Sequence, residues 1–178
     1  MRNFRKSSLI AAASLLALAA WTSTASAGHL NIVLETTLDG RQEVGMGGAS
    51  SALVGDMSAR ANAYVFGVDG NPAMLCYLIV DVRKLDELTQ APGSGRAAHI
   101  HEGKRDANGP VVASLAWPQD GQASDCLTEG QAGKFPTNEA GIVQRILKNP
   151  KDFYINIHNA AHPNGAIRGQ LMENAHQH

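Results

Sequence analysis

A nearly continuous apolar run, Met74-Leu75-Cys76-Tyr77-Leu78-Ile79-Val80-Asp81-Val82, begins just after the turn Val68-Asp69-Gly70-Asn71-Pro72. A short run of branched and apolar side chains bounded by a turn reads as a central β-strand, and Asp-Gly supplies the positive φ of a tight hairpin. The rest of the chain carries the same punctuation. Leu30, Ile32 and Leu34 alternate with polar neighbours before Leu38-Asp39-Gly40, and residues 59–66 alternate small and apolar side chains with Arg60, Asn62 and Tyr64. Ala91-Pro92-Gly93-Ser94-Gly95 separates the central run from a strand around residues 97–103, and Asn108-Gly109-Pro110 turns into another at 111–115. Residues 119–134 read as a long polar loop. Ile142, Val143, Ile146 and Leu147 recur at helical spacing until Asn149-Pro150 stops them. Two last strands, 153–158 and 166–172, flank Pro163-Asn164-Gly165. Seven or eight short antiparallel strands and one short helix predict an all-β fold, a Greek-key sandwich or barrel.

The first 27 residues stand apart. Arg2, Arg5 and Lys6 precede an apolar stretch over residues 9–20, and Ala25-Ser26-Ala27 forms a small-residue cleavage site, the pattern of an export leader. The apolar stretch is shorter than the roughly 20 residues needed to span a bilayer. The expectation is a periplasmic or secreted protein whose single domain covers residues 28–178. Losing the leader removes three cations and no anions, leaving 12 Lys and Arg against 16 Asp and Glu, a formal charge of −4. A mildly acidic domain without a basic cluster is not expected to bind nucleic acid or an anionic membrane.

Cys76 and Cys126 are the two cysteines, and an oxidising compartment leaves them one connectivity. No C-x-x-C spacing marks a redox pair, so the expected role is a staple between a core strand and the 119–134 loop.

The chemistry concentrates in histidines. Side chains two apart in a strand share a face, so His99 and His101 project together while Ile100 turns into the packing. His158 shares its face with Tyr154 and Asn156, and joins the pair if its strand lies near theirs. His162, just before Pro163 and so biased to extended backbone, is a fourth candidate. Ligands drawn only from imidazole suit copper or zinc over calcium or magnesium, and in an exported protein copper is the expectation. The competing interpretation makes these histidines ordinary hydrogen-bonded strand residues. Glu102 points to the opposite face and is a poor ligand. His29 would become the second residue after cleavage, where it could bind copper with the free amino group but reads as a frayed terminus; His176 and His178 sit on a polar tail. Nucleophile elbows, phosphate-cradling loops and H-E-x-x-H are absent from the sequence.

Three ordered blocks carry a family resemblance: Leu38-Asp39-Gly40-Arg41-Gln42-Glu43-Val44; Ala98-His99-Ile100-His101-Glu102-Gly103 with Asn108-Gly109-Pro110-Val111-Val112; and Tyr154-Ile155-Asn156-Ile157-His158 with Pro163-Asn164-Gly165-Ala166-Ile167-Arg168-Gly169-Gln170-Leu171. Together they resemble the CHRD domain, the module named after chordin and also found singly in exported bacterial proteins. The family often has prolines after Glu-Val where this chain has Gly45-Met46-Gly47. A second likeness joins the His99-Ile100-His101 strand to the copper-ligating His-x-His strand of Cu/Zn superoxide dismutases, with no counterpart of their zinc loop.

The resemblances imply little about activity by themselves; with the histidine spacing, the expectation is an exported domain that holds copper through His99, His101 and His158, with His162 in support, and that could dismute superoxide if one coordination position stays open. Rival expectations are a non-catalytic interaction module with structural histidines, and a copper storage or delivery protein. Arg168, on one face with Gln170 and opposite Ile167 and Leu171, is the candidate catalytic residue, guiding a small anion such as superoxide. The alternative role, and the favoured one, is an ion pair with Glu43.

Overall fold

A computed structural model describes residues 32–45, 54–86, 88–89 and 97–174. The leader, His29, His176 and His178 lie outside the described residues. Among the described residues nine strands form one antiparallel sheet: β1 Val33–Asp39, β2 Arg60–Val68, β3 Asn71–Arg83, β4 Ala98–Glu102, β5 Val111–Leu115, β6 Ala123–Thr128, β7 Phe153–Ile157, β8 Ile167–Gln170 and β9 Met172–Glu173. Their spatial order is β5-β4-β7-β8-β1-β2-β3-β6, with β9 beside β1. The sheet curls into a nearly closed barrel, and at the seam the Ser114 N–H of β5 donates to the Lys134 carbonyl beyond β6 at 2.8 Å. The expected all-β barrel is the fold observed.

Local chemistry accounts for the elements. β2 and β3 form the hairpin announced by Asp69-Gly70, with Gly70 at φ 74°. The helix α1, Ile142–Lys148, buries Ile142, Val143, Ile146 and Leu147 in the same core as Leu34, Val65, Leu75, Ile100 and Ile155. Among the described residues no helix is long and apolar enough to cross a membrane.

One sequence expectation fails at residues 119–134. Instead of a loop throughout, they contain β6, whose Leu127 faces Leu75 and whose Ala123 faces Ile79. Ser124, Asp125 and Cys126 are exposed because β6 is an edge strand, and its polar composition masked it. The disulfide between Cys76 and Cys126 therefore joins directly opposed residues of β3 and β6, strand to strand.

The half of the barrel that positions the histidines is β4-β7-β8, where every strand residue except Glu102 is buried. Ile100, Ile155, Ile157 and Ile167 face the core. The opposite face is polar, and three segments cover it: residues 40–45, the loop 103–110 and the turn 159–166. A bulge sits between β4 and β5, where Ile100 opposes Ala113 and His101 opposes Val111, so Val112 is the extra residue.

Candidate metal centre

Register brings the polar side chains together. His99 stands opposite Asn156, and His101 opposite Tyr154, across β4-β7; Asn156 opposes Arg168, and Tyr154 opposes Gln170, across β7-β8. Paired residues share a face, so one outer surface carries them all. His158 follows the end of β7 and is held in line by its N–H, which donates to the Ala97 carbonyl at 2.8 Å.

The rings of His99 and His101 lie 5.5 Å apart and those of His99 and His158 5.4 Å, both pairs edge to face. One ligand nitrogen from each of the three falls within 4.8 Å of the others. Bonds of about 2.0–2.1 Å set nitrogens around a shared ion roughly 3.4–3.6 Å apart, a tightening that small ring rotations supply. All three residues are buried, at 0, 9 and 3% exposure for His99, His101 and His158.

Two tautomers are fixed by carbonyls. His101 Nδ1 lies 2.9 Å from the Gly109 carbonyl and His158 Nδ1 3.0 Å from that of Pro163. A carbonyl only accepts, so each Nδ1 carries the proton and each Nε2 keeps its lone pair. Those two Nε2 atoms are buried and take no hydrogen bond among the described residues. Burial pushes His101 down to about 4, and also lowers His158, so both rings are neutral donors at neutral pH. Neutral imidazoles oriented through Nδ1 by backbone carbonyls are what a borderline cation such as copper or zinc requires.

The cover is fastened by residues that the sequence singled out for other reasons. Gly109 uses both backbone groups: its carbonyl takes the His101 proton, and its N–H donates to the Tyr154 hydroxyl at 3.3 Å. A Cβ at this position would land on the Glu102 carbonyl, so the contact needs glycine. Tyr154 stacks on His101 with ring centres 4.8 Å apart. On the β8 side the Arg168 guanidinium lies 3.4 Å from the Tyr154 ring centre. Since β4 and β8 flank β7, Tyr154 separates His101 from Arg168.

Arg168 corrects an expectation. It is 1% exposed, and its Nη atoms donate to the carbonyls of Lys104 (2.8 Å) and Ala107 (2.9 Å) and to Asn108 Oδ1 (3.2 Å). Those donors tie down the 103–110 loop; among the described residues Arg168 makes no salt bridge with Glu43, and its charge acts on that carboxyl only through space. Gln170 works beside it, giving Nε2 protons to the carbonyls of Gly103, Lys151 and Phe153. Glu43 accepts from Asn156 Nδ2 at 3.4 Å.

His162 is not brought into the cluster. Asn159 captures it, its Oδ1 taking the His162 backbone N–H at 2.7 Å and lying 3.0 Å from the ring Nδ1. Glu102 points away as expected and pairs with Arg145 of α1 at 2.6 Å. The roles of Gly109, Tyr154 and Gln170 were not read from the sequence; Gly109 within Asn-Gly-Pro was the one local signal.

The sequence model of the CHRD domain matches residues 34–171 of this chain, from β1 through the end of β8, and so takes in all three clustered histidines. Comparison with curated proteins and with solved structures gives no significant match.

Proposed function

The chain belongs to the CHRD-domain family, and from that premise we propose that it is an extracytoplasmic domain that holds one copper ion through His99, His101 and His158. One observation carries the proposal. Two buried imidazoles are turned by backbone carbonyls so that their unprotonated Nε2 atoms, without a hydrogen-bond partner among the described residues, converge with His99. A buried acceptor left without a partner costs about 1–3 kcal/mol, and a metal ion repays that cost.

Zinc fits the same donors. Copper is favoured because an all-imidazole set accepts both of its oxidation states and because the leader-like first 27 residues support an extracytoplasmic compartment, where copper would be met. The burial of the donor nitrogens favours holding the ion over exposing it to a substrate. Bound copper would supply one-electron chemistry, and superoxide dismutation is the reaction that needs least besides it. Arg168, engaged by the loop, contributes no anion guide to that second reading.

The test is metal retention. Protein exported, processed and stripped of metal is loaded with Cu(II), desalted and analysed. About one equivalent retained, and none in a folded His99→Ala, His101→Ala double variant, supports the centre. No retention by the wild type leaves an interaction module with structural histidines. Superoxide consumption by loaded protein separates a dismutase from a carrier.

A further inference from the structure

Glu43 lies on the polar face and makes no salt bridge among the described residues. Its carboxyl is buried at 9% exposure, and Oε2 accepts the Asn156 amide. Gly165 packs its backbone on the carboxyl, where a Cβ would stand 2.5 Å from Oε2. Oε1 is buried and has no hydrogen bond among the described residues. Arg168 is close enough to act on Glu43 electrostatically, but its Nη protons go to the loop. Asn156, the residue that holds Glu43, stands opposite His99 and two residues before His158. One side chain therefore separates the carboxyl from the imidazole cluster.

A divalent ion among neutral imidazoles would add two positive charges to a buried face that already holds Arg168. Uncompensated charge in such surroundings is costly, and a carboxylate nearby offsets it. We propose that Glu43 is the counter-charge of the metal centre: its carboxyl is protonated in the metal-free protein and releases that proton to solvent when a divalent ion binds. The O–H bond breaks, the carboxylate keeps the electron pair, and nothing is oxidised or reduced. This inference rests on the metal-holding reading. Burial supports it by holding the metal-free carboxyl up at about 8.

The surrounding titratable and charged groups leave this role to Glu43. From β7 come Tyr154, raised by burial, and His158; from β8, Arg168; from β4, His99 and His101. His162 belongs to the covering turn, and the Asp56 carboxylate is tied to Ser58 and Ala59 in its own turn. Lys104, Arg105 and Asp106 of the loop are exposed.

The test counts protons. Metal-free wild type and Glu43→Gln, both exported and processed, are titrated calorimetrically with Zn(II) at pH 7 in buffers of different ionisation enthalpy. The wild type should release about one more proton per ion than the variant. Its Zn(II) affinity should climb up to about tenfold per pH unit more steeply than the variant's between pH 6 and 7. Infrared difference spectra of the wild type alone should show a carboxylic C=O band disappearing on metal binding, a readout that needs no variant to fold. Binding with equal proton counts, or with that band unchanged, overturns the counter-charge while leaving the centre standing. Failure of the wild type to bind Zn(II) or Cu(II) overturns the centre, and this inference with it.

Discussion

The ring of Tyr154 lies 8° from parallel with that of His101, the two centres 4.8 Å apart. Tyr154 thereby fixes the plane in which His101 can offer Nε2, and its hydroxyl fixes the loop residue that receives the Nδ1 proton. Replacing Tyr154 with Leu should weaken metal binding about tenfold, as loss of a group supporting a ligand typically does. Tyr154→Phe keeps the stack and should lose only about 1 kcal/mol of stability with the hydroxyl. Competition titration with a chromophoric chelator measures the first, and denaturant unfolding the second.

Arg168 anchors the loop, and lysine cannot replace it. A single ammonium lacks the planar fork that reaches two carbonyls and an amide oxygen while lying over Tyr154. Arg168→Lys should cost about 1–3 kcal/mol by removing the charged hydrogen bonds that hold the loop. Tryptic cleavage after Lys104 or Arg105 should accelerate in the same variant, because the exposed pair then sits on a released loop.

The stability of the metal-free protein should peak in mildly acidic solution. His101 titrates near 4 in the folded chain against an ordinary value of 6.5, so between those pH values the unfolded chain binds more protons and stability rises with pH. His158, lowered by burial, acts in the same direction. Glu43 is the reverse case: raised from 4.5 to about 8, it stays protonated in the fold where the unfolded chain is ionised, and stability falls across that window as pH rises. The two trends oppose each other between about 4.5 and 6.5, and above that range Glu43 acts alone. Thermal unfolding across pH 4 to 9 should show the descending limb in wild type and lose it in Glu43→Gln.

Reduction of Cys76–Cys126 should destabilise the barrel by about 4 kcal/mol on the chain-entropy model, since the bond closes a loop of 50 residues. The bond lies between β3 and β6, neither of which carries a residue of the histidine cluster. Metal stoichiometry of reduced, still folded protein should therefore match that of the oxidised form. Denaturant midpoints and metal analysis, with and without reductant, check both halves.

Much of this was legible in the residues because strands alternate. The spacing of His99 and His101 put both on one face, and the common face of Tyr154, Asn156 and His158 followed from the same rule. Long-range capture was invisible. Nothing near Arg168 in sequence announces that its acceptors sit some sixty positions earlier on Lys104, Ala107 and Asn108. His162 was lost to Asn159, three residues away, through a turn whose hydrogen bonds the Pro163 bias did not specify. β6 was obscured for a different reason: an edge strand with Ser124, Asp125 and Cys126 in sequence has too few inward apolar residues to alternate visibly.

The antiparallel pairing of β4 with β7 sets an order of events. His99 of β4 and His158, just past β7, are separated by β5, β6 and α1, and they meet only after that whole excursion has been made and β7 has docked. Before then the nascent chain offers a newcomer ion nothing better than a pair of neighbouring rings on a flexible string. On the metal-holding proposal, loading would therefore follow assembly, and the ion would be drawn from whatever medium surrounds the finished barrel.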